Sequence, residues 1–471
     1  MFRKLKKNNK KLQEYAHSII PGLSGLLGKR PEMYLPGGKW PTYYSKAKGI
    51  NIWDLKGKKY FDFTMIGVGS CVLGYSDPDI DKVARKVISQ GPLTTLNPPE
   101  EIILAEMLLK SHNWADQVKF ARTGGEMVAM AVRLARAYTK RDKVMICGYH
   151  GWHDWYLATN LKDSRNLNNH LLAGLEPSGV PKGLAETVIP FNFNSCKDLE
   201  EVIKKRAKEC AAIIMEPARN TLGCKAFLKS IRKIANKNKC VLIFDEITCA
   251  WRNNTSGVHM DLGVYPDLAT FGKTMANGIP ISALIGKKEI MEEAKNSFIS
   301  STNWTERLGP ACAIEFLKKH KKLKLGKILV EKGKKIRKIW VQAATKAGIS
   351  YQKNSNNGPG CLGKFNIPVK SKNELRLEIS GINPLSSFKI INGNGKDWPI
   401  IITYFIQEML KENILASDRC YSNYCQTNKA LDKYEKACTK VFNKISFHLK
   451  KRNLSQQLEG PIKQMGFKRL N

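Results

Sequence analysis

The chain has 471 residues, 42% of them apolar and 9% aromatic, enough for one large domain with a buried core plus a smaller one. No apolar run reaches the length of a membrane span; the longest candidate, Ile400 to Ile406, reads as a buried strand or the start of a helix. The 78 Lys+Arg against 41 Asp+Glu give a formal charge of +37, but the lysines are spread along the whole length. No basic arm, RNP-like motif, zinc finger or repeat organises them, so the charge supports non-specific attraction and no specific nucleic-acid function.

The N-terminus is basic from Met1 to Lys11 and then turns apolar around Ser18-Ile19-Ile20. That stretch is short, is broken by Pro21, Gly22 and Gly25, and has no small-residue cleavage site after it, so it reads as mature protein and the expected compartment is the cytoplasm. The 12 cysteines form no C-x-x-C pair. Cys147, Cys240 and Cys249 sit in or beside apolar runs, which points to buried reduced thiols and to no metal site.

Residues 50–63 carry two short strand-like runs around Gly57 and read as a hairpin. From about 100 to 290 helices alternate with apolar strands. Met127, Met130, Ala131, Leu134, Ala135 and Tyr138 recur at helical spacing. Strand character follows at 144–147, 212–215, 241–244, 266–270 and 281–285. Uninterrupted apolar strands imply burial on both faces, hence an α/β fold: a large, mostly parallel sheet with helices on both faces. Beyond about 310 come lysine-rich helices and shorter strands, with a loop expected over 351–364, rich in Asn and Gly. The expected organisation is an N-terminal segment and hairpin (1–70) packing with a small α+β domain (311–471), around a large ligand-binding domain (71–310).

Four features lie at strand ends, where α/β sheets bind ligands. The run Val241 to Phe244 ends in Asp245-Glu246; a carboxylate placed there is costly to bury without a cationic partner. Phe271-Gly272-Lys273-Thr274 follows another short strand. A lysine in that position is a candidate Schiff-base former, because a desolvated amine loses its proton more readily. Thr123-Gly124-Gly125 precedes the amphipathic helix, whose N-terminus offers N–H groups to a phosphate. Tyr149-His150-Gly151-Trp152-His153 supplies a flat aromatic face. Each feature alone has an ordinary structural explanation. Together they suit one ligand, pyridoxal phosphate (PLP).

Together with Arg133-Leu134-Ala135-Arg136-Ala137-Tyr138, Glu216-Pro217 and Gly263-Val264-Tyr265-Pro266-Asp267, these residues resemble the class III, fold-type I PLP-dependent aminotransferases over nearly the whole chain, and among them the glutamate-1-semialdehyde 2,1-aminomutase-like proteins. The resemblance implies a Schiff base on Lys273, pairing of Asp245 with the pyridine nitrogen, and a phosphate held by Thr123, Gly124 and Gly125. It implies Tyr149 on one ring face and Ile247 on the other, Glu216 and Asn220 near the ring hydroxyl, and Thr302 reaching the phosphate of a neighbouring subunit in a homodimer. Where the aminomutase pattern has a glutamate, this chain places Tyr421, and Thr302-Asn303-Trp304-Thr305 replaces a small-residue turn. Both changes fall where substrate is read. Tyr421 and Trp304 are therefore candidate substrate residues, and Arg30 is a candidate carboxylate clamp. The implied reaction moves an amino group between an amino donor and a carbonyl acceptor, in preference to the aminomutase reaction proper or a catalytically inactive basic binding protein on the same fold.

Overall fold

The computed structural model describes residues 8–170, 173–193, 195–218, 223, 225–351 and 375–467. Among these, one compact unit comprises 78–328 and a second comprises 8–77, 329–351 and 375–467.

The second unit begins with a helix, Asn9–Ile19, and three antiparallel strands, β1 (Tyr44–Lys48), β2 (Asn51–Asp54) and β3 (Lys59–Phe63). The expected hairpin is β2–β3, turning at Gly57 with φ of 81°. Strand β1 was not anticipated, and its mostly exposed side chains carry no apolar alternation.

The 78–328 unit holds β4 (Gln117–Ala121), β5 (Lys143–Cys147), β6 (Val188–Pro190), β7 (Cys210–Met215), β8 (Val241–Asp245), β9 (Leu268–Phe271) and β10 (Ser282–Gly286). They form one seven-stranded sheet in the order β4-β10-β9-β8-β7-β5-β6. Strand β10 pairs antiparallel with both β4 and β9, and the other pairs are parallel, so β10 alone runs against the direction of the other six. Strands β7 to β10 are buried at every position. The period of two decides which helices cover each face. Ala212, Ile214, Val241 and Ile243 pack with the helix Gly124–Thr139, whereas Ile213, Met215, Leu242 and Phe244 pack with Phe227, Leu228 and Ile231 of the helix Lys225–Asn238. A strand covered on both faces has no polar side, which is why these segments read as continuous apolar runs. This unit extends past residue 310 and includes the helix Leu308–Leu323.

The remaining strands, β11 (Ser350–Tyr351), β12 (Leu375–Ser380), β13 (Leu385–Asn392), β14 (Ile414–Ala416) and β15 (Arg419–Tyr421), belong to the second unit. Strand β14 adds in parallel to β3, while β11, β12, β13 and β15 form a separate four-stranded sheet. Ile400 to Ile406 lies inside the helix Trp398–Lys411. The core here is aromatic: Trp340, Phe388, Phe405 and Phe442 cluster, and Phe63 stacks on Tyr434 at 4.2 Å. Apart from Tyr351, the segment expected as a loop lies outside the described residues. No helix among the described residues is long and apolar enough to cross a membrane.

Candidate active site

The six mutually parallel strands share a carboxyl edge, and the candidate site residues Thr123, Tyr149, Glu216, Asp245 and Lys273 of the 78–328 unit lie at or just after these strand ends. Asp245 ends β8 and is 3% exposed. Its Oδ2 accepts from His150 Nδ1 at 2.8 Å, and its Oδ1 accepts from the Ile247 N–H at 3.1 Å and the Thr270 hydroxyl at 3.2 Å. Three donors thus satisfy the oxygens of this buried side chain. His150 is itself buried, and its Nε2 has no hydrogen-bond partner among the described residues.

Lys273 follows β9, the neighbour of β8 in the sheet, with Asp245 opposite Thr270. Its φ of +44° lies in the left-handed region, a conformation that costs a side-chain-bearing residue about 1 kcal/mol or more. Its Nζ donates to Thr248 Oγ1 at 2.7 Å. The two strand ends are thus stitched twice: Thr270 reaches Asp245, and Lys273 reaches the turn that follows Asp245.

Thr123 is the N-cap of the helix Gly124–Thr139, in a full capping box with Glu126. Glu126 Oε2 accepts from the Thr123 N–H at 2.8 Å and from its hydroxyl at 2.9 Å. Thr123 is therefore committed to capping, and the first-turn N–H groups of Gly124 and Gly125 are the natural anion donors. The spacing Thr-x-x-Glu was a readable sign of this. The glycines also serve side chains: a Cβ on Gly124 would lie 2.8 Å from Ile247 Cδ1, and one on Gly125 would lie 2.7 Å from His153 Cε1. Ile247 also lies against Gly272, the residue before the lysine, at an ordinary 3.6 Å from its ideal Cβ position.

Glu216 follows β7 and is 4% exposed; its Oε2 accepts from the Tyr149 N–H at 3.0 Å. Gly148, at φ +122°, makes this approach possible, because a Cβ there would fall 2.7 Å from that oxygen. The Tyr149 ring stands edge-on to Tyr156.

Trp304, a candidate substrate residue, instead turns its indole N–H to Glu126 Oε1 at 3.2 Å, while its carbonyl accepts from Arg122. Arg122 also pairs with Glu306 at 3.0 Å, and Glu306 in turn accepts from the Leu308 and Gly309 N–H groups that open the helix Leu308–Leu323. Burial pushes the Glu126 carboxyl upward, but the bonds from Thr123, Trp304 and Arg122 outweigh this and hold it below the ordinary range. Thr302 is exposed at the start of the turn Thr302–Thr305. Arg30 and Tyr421 belong to the other unit. The Arg30 guanidinium lies against Gly22, and the Tyr421 N–H donates to the Thr64 carbonyl. Asn220 lies outside the described residues.

Glu246 is fully buried behind Asp245, where its Oε1 accepts from the His259 N–H at 2.9 Å and Nδ1 at 2.8 Å. Trp114 Nε1 donates to His259 Nε2 at 2.9 Å, which fixes the proton on Nδ1. Burial raises the Glu246 carboxyl, and its bonds from His259 and Cys249 more than reverse that.

A sheet of this order with such residues along its carboxyl edge is the PLP-dependent transferase fold. The FumI protein of Sphingopyxis sp. MTA144, solved in its PLP form, shares it with a TM-score of 0.79 and 22% identity, over 94% of this chain and 98% of that one. The Aminotransferase class-III profile matches residues 35–363. A 3-aminobutyryl-CoA aminotransferase from Cloacimonas acidaminovorans (strain Evry) is 31% identical over 333 residues, 69% of this chain and 75% of that one. A glutamate-1-semialdehyde 2,1-aminomutase from Methanobrevibacter smithii is 32% identical over 281 residues, 56% of this chain and 64% of that one. The chain belongs to the class III aminotransferases and is a PLP-dependent transaminase.

Proposed function

We propose that Lys273 is the covalent attachment point of PLP and that Asp245 pairs with its pyridine nitrogen. The observation that carries this is the double stitch between the two strand ends, Thr270 to Asp245 and Lys273 to Thr248. The donor set fits the cofactor: an amine for the aldehyde, a buried carboxylate for the ring nitrogen, and first-turn N–H groups for the phosphate. Tyr149 and Ile247 would flank the ring, and Glu216 would lie near its hydroxyl. Thr123 would act on the phosphate through the cap, with Gly124 and Gly125 as the direct donors.

When bound, PLP supplies an aldehyde that takes up the amino group and a ring that accepts the electron pair left by proton removal. The chain's part is to hold and move the proton. Lys273 Nζ takes it from the donor's carbon and returns it, acting as base and then acid. Hydrogen bonds from His150 and Thr270 hold the Asp245 carboxyl group in place. The half-buried side chains of Ile247 and Tyr149 would shield the ring's two faces from water.

The favoured reaction is transfer between an amino donor (an amino acid, amine or sugar derivative) and a separate carbonyl acceptor. The enzyme would work as a homodimer in the cytoplasm. The exposed Thr302 is available to a partner subunit, and buried free thiols such as Cys147, Cys210 and Cys438 suit a reducing compartment. The test is reconstitution with PLP, borohydride trapping and peptide mapping. Label on Lys273, with loss of the absorbance band in Lys273→Ala, is the expected result. Label elsewhere, or no band, overturns the assignment. Turnover of glutamate-1-semialdehyde without added keto acid would favour the aminomutase reading instead.

A further inference from the structure

The turn after β8 touches most of the site. Asp245 begins it, Ile247 wedges between Gly124 and Gly272, and Thr248 meets the lysine. Thr248 is 9% exposed, and its Oγ1 lies 2.7 Å from Lys273 Nζ. The turn is stiff. Ile247 is tied to Asp245 at 3.1 Å, the N–H groups of Cys249 and Ala250 both return to the Glu246 carbonyl, and the Thr248 carbonyl accepts from Arg252 at 2.5 Å. A second bond, from the Thr274 hydroxyl to the Ala250 carbonyl at 3.3 Å, joins the lysine's own turn to this one. A β-branched side chain on such a backbone has little rotamer freedom, so the hydroxyl is fixed in place.

The chemistry of that partner matters. A carboxylate beside the amine would hold it as ammonium and oppose its use as a base. A hydroxyl both donates and accepts. It accepts from the ammonium through Oγ1, and when the amine is neutral it donates its own proton to the nitrogen lone pair. The hydroxyl carries no charge that would favour either state, and it can hold Nζ in one place in both. That suits a base that must then act as an acid.

We propose that Thr248 is the positioning residue of the catalytic lysine: its hydroxyl holds the Lys273 amine in both protonation states, ready to attach PLP and to move the substrate proton. The inference rests on the reading of Lys273 as attachment point and base.

The test uses the full-length protein with Thr248→Val, which removes the hydroxyl at nearly constant shape, and Thr248→Ser, which keeps it. The first readout is the rate of covalent PLP attachment to the apoprotein, set beside the equilibrium affinity for PLP. The second is the half-reaction with an amino donor deuterated at the carbon that loses its proton. Valine should slow attachment and the half-reaction about tenfold or more and enlarge the isotope effect, with PLP affinity within about threefold. Serine should restore both rates to within about threefold of wild type. Wild-type rates in the valine variant, or a serine variant no faster than valine, would overturn the proposal while Lys273 stays the labelled residue. Label on another residue would instead sink the underlying assignment. A variant that binds PLP poorly and melts early would show that Thr248 holds only the fold, which also overturns the proposal.

Discussion

His150 and Asp245, 95 positions apart in the chain, meet through a 2.8 Å bond between imidazole Nδ1 and carboxylate Oδ2, both groups buried. A hydrogen bond to a charged acceptor of this kind contributes about 1.5–3 kcal/mol. Without it Asp245 keeps two weaker donors, Ile247 N–H and the Thr270 hydroxyl. His150→Phe should therefore lower the melting temperature and weaken PLP binding by about tenfold or more. Thermal melting and PLP titration check both. Wild-type affinity in that variant would mean the pair serves packing only.

Gly124 and Gly125 open a helix, where glycine normally costs about 1 kcal/mol relative to alanine. Here the sign should reverse. An added methyl at 124 lands 2.8 Å from Ile247 Cδ1, and one at 125 lands 2.7 Å from His153 Cε1. Either neighbour must then leave its place beside the proposed cofactor pocket. Gly124→Ala and Gly125→Ala should each cut PLP affinity about tenfold, while helix content by circular dichroism stays unchanged. A gain in both stability and affinity would refute the crowding argument.

How far the sequence could be read follows from what each contact requires. Strands β7 to β10 were legible because burial on both faces leaves an unbroken apolar run. Lys273 and Asp245 stood out as charges at the ends of such runs. Strand β1 was not legible, since its solvated side chains show no period. The helix start at Thr123 was legible, but its capping role was not drawn, although Glu126 at the third helical position signals a cap. His150 to Asp245 and Lys273 to Thr248 span 95 and 25 positions. No local pattern encodes such pairings; only the strand order does.

Trp304 shows the same lesson in a testable form. Its indole N–H is bonded to Glu126 at 3.2 Å, which makes it a brace for the helix cap. Trp304→Phe keeps the ring and loses that bond. It should cost about 1 kcal/mol of stability and reduce PLP affinity modestly, with the KM for the amino donor unchanged. A large shift in donor KM with intact PLP binding would return Trp304 to the substrate pocket.

Two buried histidines should set the acid limit of the fold. Burial pushes the His112 imidazole down to about 4, with the adjacent His259 adding to the fall, and burial likewise lowers His320 to about 4. Both are at most 1% exposed. In the unfolded chain each titrates near the ordinary value of about 6.5. Between pH 6.5 and 4 the unfolded state therefore binds a proton that the folded state refuses, so stability falls as the pH drops through that window. Each histidine contributes up to about 1.4 kcal/mol per pH unit, or about 3 kcal/mol across the window. The His320 Nε2–H donates to the Trp251 carbonyl at 2.8 Å, a bond that a glutamine can imitate. His320→Gln should leave stability at pH 7.5 nearly unchanged and flatten its decline between pH 6.5 and 5 by about one proton. Denaturant unfolding at a series of pH values measures the slope directly. An unaltered slope in the variant would mean that His320 takes up its proton while folded, and that its burial does not govern the acid response.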